Sequence, residues 1–245
     1  MAKKSHLLSI AAVAVLLSGC SITFIDRGNE QPEGDAASSP GAPPETAVPS
    51  GLVVGSGRVI NEAREVSDFD RVVLRGSGRL LIEQTGTESL SVEAEDNILP
   101  LVTSEVSGRV LELGLRPGSR IRSARPIVYR LTMKDLHGIE VSGSGDVSAS
   151  AVSTDRLAVR GSGSSDMTFD GRADRLEVEI SGSGTYNGER LESREATVDI
   201  SGSGDATVAV SDRLQAAVSG SGNVTYLGEP VVTRRISGSG SIRRG

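Results

Sequence analysis

Cys20 is the only cysteine in this 245-residue chain, and it directly follows Leu17-Ser18-Gly19. A thiol behind small residues at the end of an apolar run can take a diacylglycerol group, and cleavage just before it frees an amine for a further acyl chain. Lys3 and Lys4 precede that run, Leu7–Leu17, in the positive-then-apolar order of a secretory signal. The run is shorter than the roughly 20 apolar residues a spanning helix needs. Residues 1–19 therefore read as a lipoprotein signal peptide and Cys20 as the lipidated residue. Two or three acyl chains hold a protein on a membrane almost irreversibly, whereas one is marginal. An Asp after the cysteine would resemble an inner-membrane retention signal. Ser21 stands there instead, which points to the outer membrane in a host with two membranes, and otherwise to the outer face of the cytoplasmic membrane.

Other residues suggest chemistry less directly. Glu140, Glu179 and Asp199 each precede a Gly-Ser-Gly by three residues. If those motifs stack, Glu179 and Asp199 stand about one strand spacing of ~4.8 Å apart, near the carboxylate separation of a retaining glycosidase. This is the route by which a polysaccharide lyase or hydrolase could be built here. Against it, the chain has three Phe and three Tyr, few for the aromatic platforms of a sugar site. His137, in Leu136-His137-Gly138, reads as a surface turn residue, and one histidine supports no Ser–His–Asp arrangement. Arg120, Arg122 and Arg125 form a basic segment that could meet an anionic envelope polymer or a lipid head group, with a solvated loop as the plain alternative. Gly143-Ser144-Gly145-Asp146 and Gly202-Ser203-Gly204-Asp205 resemble the turns of calcium-binding β-rolls, but those repeat every nine residues with an Asp in each turn. Phosphate loops need a helix after their glycines; strand-like segments follow these. No cofactor and no resident metal is expected.

The elements that would position these residues repeat. Gly-Ser-Gly begins at Gly55, Gly76, Gly143, Gly161, Gly182, Gly202, Gly220 and Gly238, and the last six are spaced by 18, 21, 20, 18 and 18 residues. The gap between Gly76 and Gly143 corresponds to roughly three further periods plus an insertion. Two positions before the motif stand Leu74, Val141, Val159, Ile180, Ile200, Val218 and Ile236; four before it stand Val72, Ile139, Leu157, Val178, Val198, Ala216 and Arg234. The position between them holds Val73, Glu140, Ala158, Glu179, Asp199, Ala217 and Arg235. This is the period-two alternation of strands with one buried and one wet face. A period near 20 marks a solenoid whose repeats pack on their neighbours. The expected fold is an all-β, right-handed parallel β-helix of ~18–21-residue coils with Gly-Ser-Gly corners, the hand following from the preference of parallel crossovers. Arg234, Arg235, Arg243 and Arg244 would sit at its last, open edge, where charge discourages end-to-end pairing.

Between anchor and repeat, residues 20–50 are rich in Pro, Gly, Ala, Ser and Glu and read as a disordered tether, because they cannot bury enough surface to offset their ordering entropy. Residues 51–245 form the folded head. Loss of Lys3 and Lys4 with the signal takes the net charge from −6 to −8, which disfavours nucleic acid or a broadly anionic lipid surface as a partner.

Ser67-Asp68-Phe69-Asp70-Arg71-Val72, Leu80-Leu81-Ile82-Glu83-Gln84, Val92-Glu93-Ala94-Glu95-Asp96-Asn97-Ile98-Leu99-Pro100, Val110-Leu111-Glu112-Leu113 and Ile139-Glu140-Val141-Ser142-Gly143-Ser144-Gly145-Asp146 together resemble the GIN-type head domain of the auto-transporter adhesin family. The resemblance covers about residues 51–245. It implies a β-helical fold and an envelope location, and it brings no catalytic residues. No membrane β-barrel pattern follows the head up to Gly245, so the lipid anchor takes over attachment. The expectation is a non-enzymatic binding, adhesion or scaffolding head that meets an envelope polysaccharide or protein. The competing classes are a carbohydrate-active enzyme and a purely structural envelope protein.

Overall fold

Each corner of the head forms because glycine can adopt a backbone that other residues avoid. Gly143, Gly163, Gly182, Gly202, Gly220 and Gly238 all have φ between +113° and +127°. A Cβ on any of them would lie within 2.2–2.5 Å of the carbonyl oxygen of the corner glycine one coil below. That carbonyl accepts a hydrogen bond from the serine after the next corner, as in Ser203 N–H to Gly182 O (2.9 Å) and Ser221 N–H to Gly202 O (2.8 Å). Stacked corners thus satisfy each other's backbone groups at a spacing that leaves no room for a side chain.

The computed structural model describes residues 51–245, which fall within one compact unit, Ala47–Gly245. Cys20, the signal segment and the tether lie outside the described residues. The described part is nearly all strand. In chain order the strands are β1 Leu52–Val54, β2 Val59–Arg64, β3 Arg71–Gly76, β4 Arg79–Gln84, β5 Ser89–Glu95, β6 Val102–Ser107, β7 Val110–Leu115, β8 Arg120–Arg122 and β9 Val128–Met133. They continue as β10 Gly138–Gly143, β11 Asp146–Gly163, β12 Asp166–Gly182, β13 Thr185–Gly202, β14 Asp205–Gly220, β15 Asn223–Leu227, β16 Val231–Gly238 and β17 Ser241–Arg244.

The fold is a parallel β-solenoid, as the repeat predicts. One ladder runs through β7, β3, β10, the ends of β11, β12, β13 and β14, and then β16; a second runs through β9, β4, the starts of β11 to β14, β15 and β17. Inward columns of aliphatic residues fill the space between them: Leu74, Val141, Ile180, Ile200 and Val218 are all buried. In the last coil Ile236 is 48% exposed, and Arg234, at an inward position, donates to the carbonyl of Ile242 (3.4 Å).

Three details differ from the expectation. First, the corner of the third regular coil is Gly163, not Gly161: Val141 pairs with Gly161 and Gly143 with Gly163. The corner glycines Gly143, Gly163, Gly182, Gly202, Gly220 and Gly238 are then spaced by 20, 19, 20, 18 and 18 residues. A slip of two residues keeps every side chain on its face, so alternation alone does not choose between the registers. The far side of the corner does. Four residues after each corner glycine stands an inward apolar residue: Leu80, Val147, Met167, Tyr186, Ala206, Val224 and Ile242, all buried. A corner at Gly161 would put Ser165 in that column in place of Met167. Gly161 instead occupies a core position, and the Met167 Cε fills it, 2.7 Å from where a Cβ would be.

Second, no coil separates Gly76 from Gly143, because β3 pairs directly with β10. The intervening residues build a coil on the other side of β3–β4, from β7 and β9, and close that end with the antiparallel strands β2, β5 and β6. Spatial order therefore departs from chain order. Third, Gly55-Ser56-Gly57 is not a corner of the stack. β1 before it pairs with β8 in a separate two-stranded parallel sheet, and Gly55 leaves room for the buried Glu95 carboxylate, whose Oε2 would lie 1.2 Å from a Cβ there.

Candidate functional site

The outward column that carries Glu140, Glu179 and Asp199 differs from the sequence reading at one coil, where Arg160 replaces Ala158. It runs Glu112, Val73, Glu140, Arg160, Glu179, Asp199, Ala217, Arg235. Glu179 and Asp199 are neighbours, as the spacing predicts. Glu140 is not next to Glu179, because Arg160 stands between them. Arg160 Nε donates to Glu179 Oε2 (2.8 Å) and its guanidinium also reaches Glu177 (3.2 Å), which Arg156 contacts from the next column (3.1 Å). These pairs are half-exposed, so each is worth no more than about 1 kcal/mol. Their effect is to hold side chains in place and to neutralise the acidic character of the face.

Beside this column the face is hollowed. Gly138 and Ala158, paired on adjacent coils, occupy the outward position where Arg71 lies below and Glu177 above. Two small residues in succession leave a groove of about 630 Å³, walled by Arg71, Arg156, Arg160, Glu140 and Glu177. The Arg71 stem lies across Gly138, with its Cγ 3.3 Å from where a Cβ would be. At one end the groove reaches His137 and Asp70. Asp70 N–H donates to Arg109 O (3.1 Å) and His137 N–H to Asp70 O (2.8 Å), so Arg109, Asp70 and His137 are successive rungs. Arg109 Nε donates to Asp70 Oδ2 (2.7 Å), and His137 Nδ1 lies 3.5 Å from the same oxygen. The Asp70 Oδ1 and His137 Nδ1 atoms have no hydrogen-bond partner. His137 is thus a half-exposed residue before β10, as expected, but it has a nearly buried carboxylate beside it.

Farther along the face, Glu179, Asp199, Ala217 and Arg235 border a shallower depression of about 470 Å³ with Ser181, Ser201 and Ser219. On the other ladder, the position three residues after each corner glycine holds Arg79, Asp146, Asp166, Thr185, Asp205, Asn223 and Ser241. These side chains bond to each other. Asn223 donates its backbone N–H (3.0 Å) and Nδ2 (2.8 Å) to Asp205 Oδ1, and Ser241 Oγ donates to Asn223 Oδ1 (2.7 Å). Arg120 and Arg122 are exposed on β8, with Ile121 between them turned toward the core. Arg122 and Arg125 border a separate depression at the first corner, which Arg79 also lines.

A family described as "putative auto-transporter adhesin, head GIN domain" matches residues 68–230. The chain belongs to this family. None of the curated proteins compared matches it. Among solved structures, this GIN head is similar to a putative adhesin from Bacteroides fragilis at 22% identity and a TM-score of 0.66, over 79% of this chain and 100% of the other. A putative adhesin from Parabacteroides distasonis is 25% identical with a TM-score of 0.54, over 80% and 100%. A protein titled putative lipid binding protein from the same species is 21% identical with a TM-score of 0.52, over 80% and 100%.

The groove residues Asp70, Arg71, Arg156, Arg160 and Glu177 were not among the sequence candidates for this GIN head. Arg160 was within reach: the apolar column four residues after each corner identifies Gly163, and Arg160 then falls three residues before it. Asp70 and His137 are 67 positions apart in the chain, and only the direct pairing of β3 with β10 joins them.

Proposed function

We propose that this chain is a cell-envelope lipoprotein whose β-solenoid head binds or scaffolds a ligand outside the cytoplasmic membrane without transforming it. The observation that carries the reading is the outward strand face, where ion pairs across the coils hold Arg156, Arg160 and Glu177, and the Arg71 stem packs over Gly138, around the hollow at Gly138 and Ala158. Such a face offers fixed guanidinium and carboxylate groups to a polar polymer or protein, and binding sites on solenoids use extended surfaces of this kind. Membership of a family named for adhesin heads supports it, and so do the titles of two similar structures. The lipid anchor on Cys20 would hold the head at the membrane through the tether.

The test is retention of envelope polysaccharides and proteins on the immobilised full chain, compared with Ala158→Trp, which fills the hollow. Retention by the parent and loss in the variant is the expected result. Equal retention by both would remove the groove from the reading, and no retention by either would leave a structural envelope protein.

One observation favours a second reading, a carbohydrate-active enzyme. Glu140 has no cation within ion-pair distance among the described residues, and it shares the groove with Arg71 and Arg160. Incubation with envelope glycans separates the two: release of reducing ends or unsaturated products, abolished by Glu140→Gln, would overturn the non-catalytic reading.

A further inference from the structure

Most cations on the solenoid are matched by a carboxylate on an adjacent coil, as in Arg75–Glu112, Arg160–Glu179, Arg175–Glu195, Arg190–Asp170 and Arg194–Asp212. Among the described residues Arg116, Arg234, Arg235 and Arg243 lack such a partner, and so do four arginines near the first corner, Arg79, Arg120, Arg122 and Arg125, three of which line one depression. These four come together from three elements. Arg79 opens β4, with its N–H bonded to Ile127 O (2.8 Å). Arg120 and Arg122 sit on β8, held by pairing with β1. Arg125 belongs to a loop closed by Ser123, whose Oγ donates to Arg125 O (2.5 Å) and accepts from Arg125 N–H (3.3 Å). Arg79, Arg122 and Arg125, with Ser77, Ser144 and Asp146, line a depression of about 430 Å³.

We infer that this depression is a binding site for a phosphate group carried by an envelope saccharide. Three guanidinium groups and two hydroxyls supply more donors than a carboxylate can accept, whereas a phosphate monoester presents three terminal oxygens that guanidinium forks match in pairs. The volume exceeds what one phosphate fills and suits a phosphate with its attached sugar ring. Asp146 is the single carboxylate in the lining; it faces the saccharide hydroxyls and keeps the site from being a general anion trap. The acidic balance of the whole chain, −6, disfavours a flat anionic membrane and favours a discrete group that enters the depression.

The site is separate from the hollow at Gly138 and Ala158, so its test stands apart from the glycan-retention experiment. Calorimetry of the full chain with glucose 6-phosphate, with glucose and with inorganic phosphate is the measurement. Glucose 6-phosphate is expected to bind more tightly than inorganic phosphate, and glucose not at all. Arg79→Gln and Arg125→Gln should each weaken binding about tenfold, the loss of one charge-assisted hydrogen bond. Arg79→Lys, which keeps charge and loses the fork, should fall between, and Arg235→Gln should bind as the parent does. Unchanged melting curves show that the variants fold. Sedimentation with phosphatidylglycerol vesicles distinguishes the source: arginine-dependent vesicle binding without glucose 6-phosphate binding would assign the phosphate to a lipid and overturn the saccharide. Absence of binding to every phosphate probe, or equal binding by the arginine variants, would overturn the site.

Discussion

Replacing Gly202 by alanine tests the corner geometry on which the fold rests. Gly202 has φ +125°, a region nearly reserved for glycine, and holding alanine there costs about 1–3 kcal/mol. The new Cβ would also lie 2.5 Å from Gly182 O, well inside contact distance, so the two coils must part at the corner. Parting them weakens the bonds of Ser203 N–H to Gly182 O and of Ser221 N–H to Gly202 O, about 1 kcal/mol each. The total is about 3–5 kcal/mol. Gly76 is the internal control, with φ +96° and nothing within 4 Å of an added Cβ. Gly76→Ala should therefore lose only the conformational part. The difference of about 2 kcal/mol corresponds to a melting temperature lower by about 4–8 °C for Gly202→Ala than for Gly76→Ala, in a chain of this length. Far-UV circular dichroism during thermal and urea unfolding measures it, with the exposed Ser201→Ala expected within about 0.5 kcal/mol of the parent. Equal melting temperatures for Gly202→Ala and Gly76→Ala would refute the argument that close stacking, beyond backbone conformation, demands glycine.

Ser165 stands where the other corners have glycine; its hydroxyl is buried and unpartnered, so Ser165→Ala should raise stability by about 1 kcal/mol in urea unfolding. Burial pushes the phenols of Tyr129 and Tyr186 well above their ordinary value of 10.0. The unfolded chain loses those protons first, so stability should fall as pH rises above about 10, by about 1.4 kcal/mol per pH unit for each tyrosine. Tyr186→Phe should halve that slope. At acid pH, Lys134 beside Glu88 holds the Glu88 carboxyl below its ordinary 4.5, aided by the N–H groups of Asp68 and Phe69. The stability it contributes is present above pH about 4.5 and lost as pH falls below it, and Glu88→Gln should flatten that part of the urea midpoint–pH curve. Cys20→Ala should move the protein from the membrane to the soluble fraction of a cell lysate; full retention on the membrane would refute lipidation at that residue.

Much of the architecture is legible in the residues themselves. Period-two alternation of Ile, Val and Leu before each glycine marks the inward columns, and recurrence of the motif marks the solenoid, because both are properties of a strand and its turn that do not depend on distant partners. The acidic neighbours Glu179 and Asp199 follow from the same count. Register and coil order do not. Gly161 and Gly163 both stand on strands of correct alternation, and the choice was made by Met167, which fits the core only if Gly163 turns the chain. The coil from β7 and β9 lies outside β3–β4 because the chain returns past its own first coil, a long-range pairing that no local pattern records.

Only this tertiary arrangement decided the candidate sites. It set Arg160 between Glu140 and Glu179, joined Asp70 to His137, and opened the groove by stacking Gly138 on Ala158. It also brought Arg79 to Arg122 and Arg125, completing a cluster of which the sequence by itself shows only the segment from Arg120 to Arg125. Side-chain type and spacing determine which face of a strand is buried; which charges meet on the wet face depends on how the coils are stacked, and that is a sum over the whole core.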